Sequence, residues 1–446
     1  MKRTNSLELS KRFDPIYPAG HSNFRIPMEA TEHRVFVKRA EGSRVWDEDD
    51  NEYIDYLGGQ GVNLLGHRHP EWVAAITEYL EERSPYFAAG VLNSRDDVAV
   101  GEKLLRHIPC AERIKFCLSG SEAVQIAIRL ARAYTRKPYI LRFAGQYHGW
   151  MDNVIGGQLN PTLGGKRLPV ESPDSSSLDD PFYTRGKGPG SVEQSFMLPW
   201  NDLDALETTF RECGEEIALV LTEAIPTNHF CMMPRPGYLE RIRELCDEHG
   251  VVLCFDEIIT GFRLGLGGAQ ELVGVTPDIA SYGKALAGGV PFSAVAGRAA
   301  IMDLLRDGRV LSPGTFNGYP MGMRGVLTAL RILERDHGAA YAEMDRIQNR
   351  IEQGITEIGA RRGIPVRVQG VRGVFSVLFG LDSGTELYTD EDLQQLDFGQ
   401  LVKFWSSMQQ EGVLMFLGGR WFMSIVHTDA DVEQTLEAAE ECIADL

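Results

Sequence analysis

From about residue 110 the chain alternates two hydrophobic patterns. Short unbroken apolar runs, "RIKFCLS", "PYILRF", "EIALVLTEA", "VVLCFDE" and "DIASYG", read as strands. Between them lie stretches with apolar residues at helical spacing, such as "SEAVQIAIRLARAYT" and "PGYLERIRELCDEHG". Pro234 and Pro236 mark the start of the latter and Gly250 its end, since proline suits a helix entrance and glycine a left-handed stop. Strands that are apolar throughout need cover on both faces. The alternation therefore predicts an α/β fold, a mostly parallel central sheet with helices on both sides.

The flanks differ. Before residue 70, "SRVWDEDDNEYIDYLGG" alternates around an Asp-Asp-Asn turn and predicts a hairpin. Helices are expected from Pro70 to Glu82 and over "RDDVAVGEKLLRHI". From about residue 335 the pattern predicts two long helices, strands at "VRVQG" and "GVFSVLFG", a helix over "FGQLVKFWSSMQQEG", strands at "VLMF" and "WFMSIVH", and a last helix opening at "HTDADVEQ". Thr428 or Asp429 can cap that last helix. The expected organisation is a segment 1–70 joining a smaller α+β lobe, a large domain 71–330, and a C-terminal small domain 331–446. Most of 156–195 is rich in Gly, Pro, Ser and Asp. A loop of that length suits a lid over a site, or equally a surface insertion.

Composition narrows the partners. The chain has 446 residues, 43% hydrophobic and 24% charged, as in ordinary globular proteins. A net charge of −18 opposes nucleic acid or an anionic membrane as partner, though not one phosphate in a local pocket. The N-terminal stretch shows no apolar run of signal-peptide length, and no run along the chain approaches the length of a membrane span. The seven cysteines are scattered without C-x-x-C pairs, which suggests reduced thiols in a cytoplasmic protein. No metal-ligand spacing is found. His67 and His69 read as turn and packing residues, Glu257 as a strand-end hydrogen-bonder, and Arg263 as one half of an internal ion pair.

Chemistry enters with "SYGKALAGG". Lys284 stands there among small residues, either as a plain loop lysine or as one with room cleared for something bulky. Upstream, "VVLCFDE" ends in Asp256, at the strand end where open α/β sheets bind ligands. In "CLSGSEA" Gly120 and Ser121 open a helix, where bare N–H groups attract anions. The plainer alternative is an N-cap by Ser119 or Ser121. Tyr147 in "GQYHGW" follows the next strand, as a cover for a flat ligand or an ordinary half-buried tyrosine. Lysine, strand-end acid, anion cradle and aromatic platform together suit pyridoxal 5'-phosphate. That cofactor needs an amine for its Schiff base, an acid at its ring nitrogen and donors for its phosphate.

"CFDEIITGFRLGLGGAQELVGVTPDIASYGKALAGGVPFSAVAG" resembles the signature of class III (subgroup II) pyridoxal-phosphate aminotransferases. The likeness is nearest to the glutamate-1-semialdehyde 2,1-aminomutases and runs through nearly the whole chain, including "PAGHSNFR", "SPGTFNGYP" and "HTDADVEQT". It implies a fold type I homodimer with active sites at the subunit interface. It further implies Lys284 as Schiff-base lysine, Asp256 as ring-nitrogen partner, Gly120 and Ser121 at the phosphate, and Tyr147 stacked on the ring. Asn228 would lie near the ring hydroxyl, Thr315 would reach the neighbouring subunit's phosphate, and Arg25 would grip a substrate carboxylate.

Departures from the family pattern bear on the reaction. Ser121 replaces a threonine, and Ala224 a proline. Gln60 stands where the aminomutases have an aromatic residue, and Arg420 roughly where they have an acid, in a shorter loop. The cofactor site is thus kept while the substrate pocket changes. The expectation is an aminotransferase moving an amino group between an amino acid or amine and a carbonyl compound bearing an anionic group. The alternative is the aminomutase reaction, which the position of 156–195 favours; an epimerase is a third. A non-catalytic binding role would fit loss of Lys284 or Asp256, and both are present.

Overall fold

The computed structural model describes residues 1–17, 34–82, 92–156, 187–188, 190–191, 194–416 and 419–446. Three strands near the N-terminus, β1 (Val37–Glu41), β2 (Arg44–Asp47) and β3 (Glu52–Asp55), pair antiparallel, and β2–β3 is the expected hairpin. The next seven are β4 (Arg113–Cys117), β5 (Tyr139–Phe143), β6 (Ser195–Leu198), β7 (Ile217–Thr222), β8 (Val252–Glu257), β9 (Ile279–Tyr282) and β10 (Ser293–Gly297). The last are β11 (Val366–Val371), β12 (Val374–Phe379), β13 (Val413–Leu414) and β14 (Arg420–Phe422).

The central sheet runs β4-β10-β9-β8-β7-β5-β6. Its pairs are parallel except around β10, which is antiparallel to both neighbours. Every residue of β7 and β8 is buried. Leu219, Leu221, Val252, Cys254 and Ile279 face one core, shared with the helix Gly120–Thr135. Val220, Leu253, Phe255 and Ala280 face the other, shared with the helices Leu203–Cys213 and Tyr238–His249. Each large side chain so buried contributes roughly 1.5–3 kcal/mol. Strand alternation then decides the strand ends: Asp256 and Ser281 fall on the side of the helix Gly120–Thr135, Glu257 and Tyr282 on the opposite side.

The chain ends share a sheet, because β13 pairs parallel with β3, Val413 opposite Ile54. β11, β12 and β14 form a separate antiparallel sheet. Between residue 335 and β11 there is one long helix, Ala339–Arg362, rather than two; the other, Pro320–Leu333, precedes it. The break falls at Asp336, His337 and Gly338, all with positive φ. β6 and β10 had no clear signal, since "SFML" is short and "SAVAG" is built from small residues. Thr428 caps the last helix, with Asp431 completing the capping box. The seven cysteines are free, and all but Cys213 are buried.

Candidate active site

Asp256 and Lys284 stand at the same end of adjacent strands. Asp256 is the register partner of Ser281 across the parallel pair β8–β9, and Lys284 lies three residues beyond Ser281. Neighbouring strands are only about 4.8 Å apart, so the acid and the amine open into one space. The turn Lys284–Ala287 begins at the lysine, whose φ is +43°. A non-glycine residue in that region is strained, and such strain concentrates at functional sites.

Asp256 is only 4% exposed. Its Oδ1 accepts from the Ile258 N–H at 3.1 Å and the Ser281 hydroxyl at 3.2 Å. Its Oδ2 lies 2.8 Å from His148 Nδ1, which donates while the acid is ionised. His148 is buried, and its Nε2 has no partner among the described residues. The Lys284 amine is pushed down to about 7. Burial is the main cause and the Arg420 charge the next; Arg263 acts in the same direction, while Glu223 and Asp256 oppose.

The helix Gly120–Thr135 is capped by Ser119, whose hydroxyl accepts from the Glu122 N–H at 3.3 Å, while Glu122 accepts from Ser119 N–H at 2.8 Å. Ser121 is therefore not the cap. The N–H groups of Gly120 and Ser121, at the positive end of the helix, are left for another acceptor. The segment after Tyr147 crosses close by. A Cβ on Gly149 would lie 2.6 Å from Ser121 Oγ, so only glycine passes there. Trp150 N–H donates to that hydroxyl at 3.4 Å.

Tyr147 N–H donates to Glu223 Oε1 at 2.9 Å. Burial raises the Tyr147 hydroxyl above its ordinary value, helped by the Asp256 charge. Buried Glu223 also accepts from Thr227 Oγ1 at 3.0 Å and from Asn228 Nδ2 at 2.8 Å. Arg420 Nη1 donates to Asn228 Oδ1 and to the Thr227 carbonyl, the latter at 3.5 Å. Its guanidinium lies 4.4 Å from the Phe416 ring centroid. Burial lowers Arg420, and Glu223 opposes that. An acid, an amide and a guanidinium thus form a chain beside Lys284.

Of the residues singled out from sequence, Lys284, Asp256, Tyr147, Asn228 and Arg420 come together here, and Gly120 and Ser121 adjoin them through Gly149. Both ends of the Asn228 amide are engaged by Glu223 and Arg420. Gln60 sits in a left-handed turn with φ +61°, tied to this region through Arg263. Thr315 is exposed, beside a half-exposed Phe316. Arg25 and most of 156–195 lie outside the described residues.

His148 and Ser281 were missed, although His148 stands between the flagged Tyr147 and Gly149. Arg263 makes no ion pair with an acid among the described residues; its Nη atoms donate to three backbone carbonyls. Three segments each turn a backbone carbonyl toward it and no acid among the described residues faces it, so carbonyls take the place of the expected acid. Glu257 is a strand-end acceptor, for the N–H groups of Ala269 and Gln270. His67 pairs with Asp55 at 2.7 Å. No group of three or more metal-ligating side chains occurs among the described residues.

A family model described as aminotransferase class-III matches residues 26–443. A glutamate-1-semialdehyde 2,1-aminomutase 2 from Brevibacillus brevis is 33% identical, covering 99% of both chains. An omega-transaminase from Sphaerobacter thermophilus superposes with a TM-score of 0.86 at 26% identity, over 99% of this chain and 97% of its own. A glutamate-1-semialdehyde aminomutase from Pseudomonas aeruginosa PAO1 shares the fold, with a TM-score of 0.83 at 21% identity over 99% of this chain and 94% of its own.

Proposed function

The chain belongs to the class-III aminotransferases, and on that premise we propose that it moves an amino group between an amino acid or amine and a carbonyl compound bearing an anionic group. It is an enzyme of a pyridoxal 5'-phosphate-dependent family with the type I fold. The residues fit that cofactor: a buried acid held from three sides, an amine lowered to about 7, and free helix N–H groups beside a glycine-only crossing. When bound, pyridoxal 5'-phosphate supplies an aldehyde to condense with amines and a cationic ring that draws electrons from the adjacent carbon.

Each side chain then has a task. Asp256 holds the proton at the ring nitrogen, and His148 orients that carboxylate. Lys284 would hold the cofactor through its amine and would serve as the proton carrier beside it; near pH 7 that amine takes up or gives a proton readily. Gly120 and Ser121 bind the phosphate, and Tyr147 covers the ring. Asn228, held by Glu223, sits near the ring hydroxyl. Arg25, Gln60 and Arg420 contact the substrate.

One observation carries the choice of substrate: the Arg420 guanidinium stands close enough to Lys284 to lower its amine, with Nη1 turned to Thr227 and Asn228. Its remaining N–H groups suit a carboxylate. Arg420→Gln is expected to raise KM for a carboxylate-bearing substrate roughly 10–100-fold, with kcat changed only a few-fold, as for loss of a charged hydrogen bond. Steady-state kinetics on a panel with and without the carboxylate checks this; equal losses on both would refute it.

A second reading has its own support, the 33% identity to a protein named glutamate-1-semialdehyde 2,1-aminomutase 2. Incubation with glutamate 1-semialdehyde and no amine partner separates the two. No 5-aminolevulinate is expected; its steady formation would replace the first reading.

We further infer a homodimer with shared sites. Thr315 lies in an exposed stretch with Leu311 at 63% and Phe316 at 49% exposure, and Trp150, next to the phosphate cradle, is 65% exposed. A second copy covering them would bring its Thr315 to the phosphate. The division at about residues 70 and 330, with 156–195 as a lid-like loop, and a cytoplasmic location belong to the same proposal. Among the described residues no helix is long and apolar enough to cross a membrane.

A further inference from the structure

Arg263 is fully buried, without an acid to balance it among the described residues. Its Nη1 donates to the carbonyls of Gly373 at 3.0 Å and Met423 at 2.7 Å, and its Nη2 to that of Gly61 at 2.6 Å. Its Nε is buried with no partner among the described residues. Burial pulls the guanidinium down to about 10. A buried cation is costly and persists where something depends on it.

The three carbonyls belong to segments far apart in sequence. Gly61 closes the turn Gly58–Gly61, whose four residues have φ of 53, 59, 61 and 89°. Consecutive left-handed residues are unusual, and Gln60, the third, carries a side chain there. Asp55 fixes the start of the turn, accepting from the Leu57 and Gly58 N–H groups at 2.9 and 3.0 Å. Arg263 fixes its end. Phe422 packs between them: a Cβ on Gly61 would lie 3.0 Å from its Cε1, and the Arg263 guanidinium is 5.5 Å from its centroid. Met423 follows directly on β14, the strand that opens with Arg420. The residues after the turn reach the lysine loop, where a Cβ on Gly289 would lie 3.8 Å from Asn63 Oδ1.

We propose that Arg263 is a positioning residue: by holding the Gly61 and Met423 carbonyls with one guanidinium, it sets Gln60 and Arg420 relative to each other and so tunes selectivity without touching the substrate. The proposal rests on the reading that Gln60 and Arg420 face a carboxylate-bearing substrate. Only arginine offers a rigid fork able to serve three acceptors at once; lysine, a single ammonium, cannot keep the same spacing.

Binding of glutarate, an unreactive dicarboxylate, to the holoenzyme tests it by calorimetry. Arg420→Gln is expected to weaken glutarate about tenfold or more, and Arg263→Lys about tenfold, with the cofactor's visible absorption retained. In the Arg420→Gln background, Arg263→Lys should add less than about twofold, the signature of coupled residues. Unchanged affinity in Arg263→Lys, or effects that simply multiply, would overturn the positioning role and leave a purely structural one. If Arg420→Gln does not weaken glutarate, or the wild type does not bind it, the carboxylate reading falls, and this proposal with it. Should Arg263→Lys fail to fold, Gly61→Ala pushes the same turn off Phe422 from the other side. It is expected to weaken glutarate to a similar degree, and unchanged affinity there overturns the proposal equally.

Discussion

Lys284→Ala is expected to lose turnover by about 10³–10⁴-fold or more, because in the proposed reaction both the covalent attachment and the proton transfer pass through one amine. The fold should survive. Alanine accepts the same φ of +43° with no greater strain than lysine, and removing a buried amine leaves no acid stranded, since Asp256 keeps its contacts to His148, Ile258 and Ser281. Thermal unfolding should therefore shift little, and added methylamine should restore part of the activity by supplying a free base. Borohydride should bleach the visible absorption of the wild type and fix cofactor to the chain, and should fix none in the variant. Substantial activity in the variant would mean that another group moves the proton. The wild type carries a pH signature of the same amine. With its value lowered to about 7, the neutral fraction is about a tenth at pH 6 and about nine tenths at pH 8. Cofactor uptake by the apoenzyme should rise roughly tenfold across that interval and flatten above it. The sign follows from the chemistry, because the deprotonated amine is the nucleophile.

Asp256→Asn is the second large effect. A carboxylate about 4 Å from a cationic nitrogen, at an effective dielectric of about 20, stabilises it by roughly 4 kcal/mol. That corresponds to about 10³ in rate if the charge is needed throughout the reaction. Asparagine keeps the shape, and its oxygen can still accept from Ile258, Ser281 or His148, so stability should change by about 1 kcal/mol. Single-turnover kinetics with an amine donor would show the loss in the proton-transfer step, while cofactor affinity falls far less. A loss below about tenfold would mean that Asp256 does not govern the ring nitrogen, and that His148 only packs against it.

Much of this site could be read before any coordinates. Asp256 stood out because an unbroken apolar run ended in acids, and Lys284 because small residues surrounded it on both sides. Both are local signals. His148 carried no such signal, since its role depends on β5 and β8 bringing it to Asp256 across 108 residues. Arg263 looked like half of an ion pair, because buried arginines usually need an acid. Its carbonyl partners come from segments at residues 61, 373 and 423, which no local pattern connects.

The order of apolar runs and helical stretches by itself determined an α/β protein with a mostly parallel sheet, and the resemblance carried by its motifs determined the family and cofactor. Local periodicity reports which faces must be buried, and that is enough to choose a class of fold. Only the tertiary structure decided that β10 runs against its neighbours, that Ser119 rather than Ser121 caps the helix at the cradle, and that Asn228 bridges Glu223 and Arg420. Those outcomes depend on strand register and on which polar groups meet once distant segments are packed, and hydrogen bonds between such segments leave no period in the chain.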